Sequence, residues 1–373
     1  MQALISKIRY LPKGILLLIS ALGFSGLVVM YIAGGGDLEP YAFKQGLFFL
    51  VFYLLMLGTI LIDIKYIYSL SYLFYFFSLL LLILVEIVGH KAMGATRWIN
   101  LGFFKMQPSE LMKISLVLAL AKYFHTLGEQ MRLDIKNLLI PILLILIPSI
   151  VIMKQPDLGT AMVILLVGAL ILFLAGAQIW QFFFVACVIC ISAPILWTKL
   201  HDYQKKRVEI FLNPELDPLG SGYNIIQSKI AIGSGGILGK GFLEGTQAQL
   251  DFLPEHQTDF VFPMFAEEFG FVGSLLLLLA YFILMLYGIR VANHSKNLYG
   301  RFAAFGLISV FIFHVFINIG MVMGLLPVVG IPLPFMSYGG TILGATFLIF
   351  GIIVNIDVSK KAVLPQSSVK YLI

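Results

Sequence analysis

Residues 244–273 read EGTQAQLDFLPEHQTDFVFPMFAEEFGFVG, a stretch in which a long polar segment stops and an apolar helix begins. Asp259 stands at the junction, with Glu267 and Glu268 about two helical turns deeper. Hydrocarbon cannot solvate a carboxylate. Acids at the mouth of a membrane helix therefore point to a functional site facing a wet cavity.

The chain around this junction is a membrane sequence throughout. It is 60% hydrophobic and 12% charged, with a mean hydropathy of +0.98, against roughly a quarter charged for soluble domains. Apolar runs near the roughly 20 residues needed to cross a bilayer recur along its length. They predict an all-α polytopic protein with ten spans: 14–33, 45–62, 68–88, 110–124, 137–153, 158–174, 179–197, an eighth headed by Asp259 with its apolar run at 275–289, 303–326 and 336–356. The fourth is short, and Pro141 and Pro148 are placed to bend the fifth. Lys7, Arg9 and Lys13 precede the first span as in a secretory signal, but the apolar run is too long and lacks a small-residue cleavage site, so it is expected to stay as an anchor.

With ten spans both termini lie on one side. Lys7, Arg9, Lys13, Lys65, Lys122, Arg132, Lys136, Arg290, Lys296, Arg301, Lys360, Lys361 and Lys370 share it, which predicts cytoplasmic termini. The opposite short loops hold Lys44, Lys91, Arg97, Lys105 and Lys154, and the long segment 199–260 becomes an extracytoplasmic loop. No soluble domain can be cut out, so residues 1–373 form a single membrane domain. The net charge of +6 then reflects topology and anionic lipid contact rather than nucleic acid, for which no module is present. Cys187 and Cys190 form CVIC in an apolar span without polar neighbours, and packing explains them better than redox or metal chemistry.

Three expected outer segments carry acids and bases. Glu110 and Lys113 share a helix face behind Pro108, and both a structural ion pair and a substrate contact fit that spacing. Lys154 and Asp157 flank the start of the sixth span, where Asp157 suits either a helix cap or a cavity wall. The third segment runs from Lys240 to Glu267. His314 and Asn318, four apart in the ninth span, suit inward hydrogen bonding. The glycine-rich run 220–242 is not a phosphate-binding loop: Ser234 stands where the first glycine is needed, and Gly241 follows Lys240. Gly233, Gly235, Gly236, Gly239 and Gly241 instead suit tight turns or close approach to a head group. Tyr223, Ile225, Ile226 and Ile230 suit an interfacial amphipathic helix.

Five strings occur in order: GATRWINLGFFKMQPSELMK (94–113), QPDLGTA (155–161), GYNIIQSKIAIGSGGILGKG (222–241), LPEHQTDFVFPMFAEEFGFVG (253–273) and PVVGIPLPFMSYGG (327–340). Together they resemble the SEDS (shape, elongation, division and sporulation) family of cell-wall polymerases over nearly the entire chain. GYNIIQSKIAIGSGG, GTQ at 245–247 and PVVGIPLP resemble its elongation-type, RodA-like branch. The resemblance implies a peptidoglycan glycosyltransferase of the bacterial inner membrane that polymerises lipid II, a disaccharide-pentapeptide on undecaprenyl pyrophosphate, for cell elongation and rod shape. It also implies partnership with a class B penicillin-binding protein, a transpeptidase, and with other elongation-machinery proteins.

In that reaction a sugar 4-hydroxyl attacks the anomeric carbon of another sugar and needs a carboxylate to accept its proton. By resemblance that base is Asp259. Pyrophosphate leaves readily, so a second carboxylic acid is less needed than in glycoside hydrolysis. Positive charge is needed instead, from Arg97, Lys113, Lys240 or a divalent cation such as Mg or Mn. The resemblance also implies Trp98, Glu110, Lys113, Asp157 and Gln227 as cavity residues, and Glu267 lies on the same predicted face. For Trp98 both sugar stacking and interface anchoring fit. Pro332, Pro334, Ser337 and Gly339 suit bending and partner docking. Two rival classes remain open. A flippase for lipid-linked precursor would need polar groups on both sides or at the midplane, whereas here they crowd one side. A scaffold for the transpeptidase is compatible with catalysis.

Overall fold

The computed structural model describes residues 7, 10–92, 95–100, 102, 105–128, 135–199, 202–217, 220–246, 257–360 and 364–365. The chain is an all-α polytopic membrane protein. Its helices are α1 (Lys13–Ala33), α2 (Ala42–Leu61), α3 (Ile64–Val88), α4 (Pro108–Leu127), α5 (Ile135–Lys154), α6 (Leu158–Leu174) and α7 (Ile179–Lys199), then α8 (Asp202–Leu212), α9 (Ser221–Ser234), α10 (Val261–His294), α11 (Leu298–Val322) and α12 (Gly340–Val358). Seven of these, α1, α2, α3, α5, α10, α11 and α12, are long and apolar enough to cross a membrane. Gln247 of GTQ, the LPEH string at 253–256, and Arg132, Lys361 and Lys370 lie outside the described residues.

Three features depart from the expectations. The segment between α3 and α4 forms a small antiparallel sheet of β1 (His90–Ala92), β2 (Ala95–Asn100) and β3 (Lys105–Met106). The fourth apolar run is not short: α4 has 20 residues. It carries Glu110, Lys113, Ser115 and His125 and buries all four, because α3 on one side and α11 on the other enclose it. The segment 199–260 is not only loop, since it contains α8 and α9.

α11 and α12 form the centre, with 72% and 83% of their apolar stretches buried against 22% in α2. Aromatic rings fill the space between them: Phe311 meets Phe350 edge-on at 4.9 Å, and Phe335 meets Phe347 at 5.4 Å. Asn355, fully buried on α12, donates through Nδ2 to the carbonyls of Thr59 (2.8 Å), Ile60 (3.1 Å) and Ile62 (2.6 Å), the orphan acceptors at the end of α2.

α5 is a single helix in spite of its two prolines. A proline removes the donor that the carbonyl four residues earlier requires. Pro141 orphans Asn137 and Pro148 orphans Leu144. The Tyr123 hydroxyl of α4 donates to the Asn137 carbonyl at 2.9 Å, and the Tyr75 hydroxyl of α3 donates to the Leu144 carbonyl at 2.9 Å. Two neighbouring helices thus supply the missing donors.

α10 has one non-helical residue, Gly270, at φ 64° and ψ −163°. The break frees the carbonyls of Glu267 and Glu268 and the amides of Phe271 and Val272. The glycine-rich residues after α9 lie alongside and exchange bonds with all four. Lys240 N donates to Glu267 O (2.9 Å) and Gly241 N to Glu268 O (3.3 Å), while Phe271 N donates to Gly236 O (2.9 Å) and Val272 N to Ile237 O (3.1 Å). Such contact of two backbones leaves no room for side chains: a Cβ on Gly239, itself at φ +87°, would lie 2.0 Å from Glu268 O. Of the two uses expected for these glycines, tight turns are present at Gly236, Gly239 and Gly241, all at positive φ, and the close approach seen is to the backbone of α10. α9 is anchored rather than purely interfacial, with Ile225 buried and Ser228 Oγ donating to Val322 O at 2.6 Å; Ile226 and Ile230 stay exposed.

Tyr75→Phe and Tyr123→Phe should each lower stability by about 1–3 kcal/mol, the cost of an unsatisfied buried acceptor. Adding Pro148→Ala to Tyr75→Phe should restore most of that loss, because an alanine at that position returns the helical donor to the Leu144 carbonyl; thermal melting in detergent reads both. Gly239→Ala should cost on the order of 2–4 kcal/mol by the same measurement. Gly236→Ala, at φ +54° with open space around a Cβ, should cost about 1–2 kcal/mol.

Candidate functional site

Asp259 sits in the turn 257–260 that feeds α10, half-buried, between α11 and the segment 331–338. Its backbone is clamped from both. Asn318 Nδ2 donates to Asp259 O at 2.9 Å and to Ile331 O at 2.8 Å. Ser337 Oγ donates to Thr258 O at 2.5 Å and accepts from Leu333 N at 2.7 Å, and Tyr338 N donates to Gln257 O at 2.8 Å. The Asp259 carboxylate lies over Gly330, where a Cβ would come 3.3 Å from Oδ2. Ser337, expected only to bend the chain or dock a partner, therefore positions the aspartate's turn. Asn318 was legible as an inward polar group; its partner was not.

One turn along α11, His314 faces Lys113. The ammonium donates to Glu110 Oε1 at 2.7 Å and to His314 Nε2 at 2.5 Å, with both partners of the ion pair almost wholly buried. Lysine can only donate, so His314 is held neutral at Nε2. The expected i, i+3 ion pair is present, and the histidine is its third member. His314 and Asn318 share a face as expected, and each bonds a different element.

A second cluster surrounds Asp157. It N-caps α6, accepting from Thr160 N (3.2 Å) and Thr160 Oγ1 (3.0 Å), and also accepts from Gln107 Nε2 at 3.3 Å. The capping reading holds, and burial leaves the carboxylate largely committed. Arg97 Nε donates to Gln155 O at 3.0 Å and its Nη2 to Pro156 O, so β2 grips the turn before α6. That turn touches the Asp259 neighbourhood, because a Cβ on Gly159 would lie 2.9 Å from Val329 O, one residue before Gly330. Trp98 is half-buried and, as the next residue on a strand, faces the side opposite Arg97. Gln107 gave one sequence signal, its place before Pro108 at the helix start.

Lys240 pairs with Glu267 Oε1 at 2.5 Å and donates to Thr246 Oγ1 at 2.9 Å. The same Oε1 accepts from Thr246 N at 3.1 Å, and Glu268 Oε1 accepts from Gly245 N at 2.9 Å. Glu267 is fully buried. Both acids thus fasten the glycine-rich loop to α10. Gln227 is half-buried on α9.

Of the three expected cations, Lys113 and Lys240 are each bonded to a carboxylate, whereas among the described residues Arg97 bonds only neutral carbonyl oxygens. Arg97 therefore keeps a charge that no described carboxylate compensates. Among the described residues no three His, Cys, Asp or Glu side chains gather as a metal site. Cys187 and Cys190 are unpaired, with Cys190 exposed on α7.

Comparison with known proteins places the whole chain. The sequence profile of the FtsW, RodA and SpoVE family, described as cell cycle protein, matches residues 11–362. The peptidoglycan glycosyltransferase MrdB of Escherichia coli (strain K12) is 42% identical over 357 residues, covering 95% of this chain and 95% of that one. Among solved structures, a chain from a study of the structural coordination of polymerization and crosslinking by a peptidoglycan synthase complex matches with a TM-score of 0.80 and 30% identity, over 94% of this chain and 98% of that one. The rod shape determining protein RodA of Thermus thermophilus matches with a TM-score of 0.72 and 27% identity, over 95% and 98%. The chain belongs to the FtsW, RodA and SpoVE family, the family its five ordered strings resemble.

Proposed function

We infer that this protein is a peptidoglycan glycosyltransferase that polymerises lipid II into glycan strands at the outer face of the bacterial inner membrane, for elongation of the cell. One observation carries the reading: a half-buried carboxylate, Asp259, at the junction of a polar segment and a membrane helix, with its backbone clamped by Asn318 and its turn by Ser337. A proton acceptor needs such fixed placement, since its work is to sit within hydrogen-bond reach of one hydroxyl.

In the mechanism the acceptor sugar's 4-hydroxyl oxygen bonds to the donor's anomeric carbon while its proton passes to an Asp259 carboxylate oxygen. The bond from that carbon to the phosphate oxygen breaks, and its electron pair leaves on undecaprenyl pyrophosphate. Arg97 meets that growing charge, being the expected cation whose bonds go to neutral acceptors. Glu110, Lys113 and His314 form the buried wall behind the aspartate. Asp157 shapes the floor by capping α6, and Lys240 with Glu267 holds the glycine-rich loop. Gln227 lines the substrate side, and Trp98, on the face of β2 opposite Arg97, fits interface anchoring.

Ten helices, α1–α7 and α10–α12, cross the membrane in this reading, with 199–260 outside and both termini in the cytoplasm. The basic residues at the terminal end, Lys7, Lys65, Lys122, Arg290 and Lys360 among them, support that orientation. The match to a synthase-complex chain supports pairing with a class B penicillin-binding protein that crosslinks the strands.

Polymerisation of purified lipid II in detergent tests the assignment. Asp259→Asn and Asp259→Ala should each lose about 10²–10⁴-fold in rate; wild-type rates from either would refute the base. Glycan strands formed where no leaflet exists would exclude transport as the whole activity. Arg97→Ala should lose about 10²-fold in kcat, the scale of one removed charge stabiliser. Lys240→Met should instead act on stability, lowering the melting temperature by stranding Glu267 in a buried site, and Glu267→Gln in that background should recover it.

A further inference from the structure

At the end of the bundle away from Asp259, α1, α10 and α12 enclose a cleft of about 440 Å³, within the range of small-molecule sites. α10 links the two ends, its 34 residues running through the break at Gly270. One face of α10 changes character along the cleft. Ile283 and Leu286 come first, both substantially exposed, then Tyr287, then Arg290 and His294 at the rim. Ile15 of α1 extends the apolar half, and Lys360 after α12 extends the basic half.

The acid that lines the cleft, Asp357, is already committed, accepting from the Tyr287 hydroxyl at 3.2 Å and lying 3.7 Å from Lys360 Nζ. Arg290 has no carboxylate in salt-bridge range among the described residues. Counting the lining charges, Arg290 and Lys360 against Asp357 leave a net +1 with His294 neutral. Basic residues at helix ends ordinarily need no further reason than topology. Topology does not require a cleft, nor an apolar wall that grades into a cationic rim in the sense of a lipid standing in its leaflet.

We propose that this cleft is a binding site for an anionic phospholipid. Its acyl chain lies against Ile15, Ile283 and Leu286, and its phosphate is held by Arg290, with Lys360 and His294 at the rim beside it. A tyrosine at the boundary between the two halves fits the level at which ring and hydroxyl meet the head groups. Because the cleft is remote from Asp259, the site is independent of the chemistry proposed above.

Native mass spectrometry of the full-length protein in neutral detergent tests it, with phosphatidylglycerol or phosphatidylcholine titrated in. Phosphatidylglycerol should be retained at least tenfold more strongly, and Arg290→Ala should reduce that preference at least fivefold with an unchanged melting temperature and an unchanged rate of lipid II polymerisation. Ile283→Trp, which fills the apolar half and leaves the charges, should remove retention as well. Equal retention of the two lipids, or no effect of Arg290→Ala, would overturn the proposal. Displacement of phosphatidylglycerol by millimolar inorganic phosphate would do so too, by reassigning the site to free phosphate.

Discussion

A backbone carbonyl or amide that loses its partner inside hydrocarbon has no water to turn to, and each such group costs several kcal/mol. That constraint organises this protein more than any side-chain pair does. At several places where a helix ends or breaks, or loses a donor to proline, a neighbour supplies the missing bond. Tyr75 and Tyr123 serve the carbonyls that Pro148 and Pro141 orphan. Asn355 serves the end of α2. The loop after α9 serves the gap at Gly270. Asn318 and Ser337 do the same for the turn that carries Asp259.

This has a consequence for reading the polar residues. Most of the buried polar side chains around the candidate site are occupied with structure: Asp157 with the start of α6, Glu267 and Glu268 with the glycine-rich loop, Glu110 with Lys113. Their clustering at one end of the bundle reflects the same irregular backbone that makes a site possible there. Glu110, Lys113 and His314 are best seen as a neutral unit, since the ionised pair cancels and the imidazole accepts. Removing one member of such a unit strands the others, so loss of activity on mutating Lys113 would not by itself make it a catalytic residue.

Local pattern was readable from the sequence. Each of the ten apolar runs overlaps a helix, although those at 303–326 and 336–356 overrun theirs, the Glu110–Lys113 spacing placed both on one face, and Asp157 after Pro156 was readable as a cap or a cavity wall. Three things were not readable, because they depend on residues far apart in the chain. The donors for the two α5 prolines come from α3 and α4. The glycines 235–241 are explained only by the break at Gly270, some thirty residues later, and that break is hidden inside an apolar run. Asn318 reaches Asp259 across 59 positions. The small sheet at 90–106 escaped for a different reason: strands of two to six residues leave too little alternation to register.

The bonds at Gly270 also have a mechanical meaning. Lys240 and Gly241 hold the carbonyls before the break, while Gly236 and Ile237 hold the amides after it. One loop therefore bridges both sides of the gap, as a splint bridges a fracture. A glycine in a long helix would ordinarily be its hinge, but here bending would have to rupture both pairs at once. α10 is consequently held in one shape through the interruption, and the helix start that follows Asp259 takes its position from this loop as much as from the rest of α10.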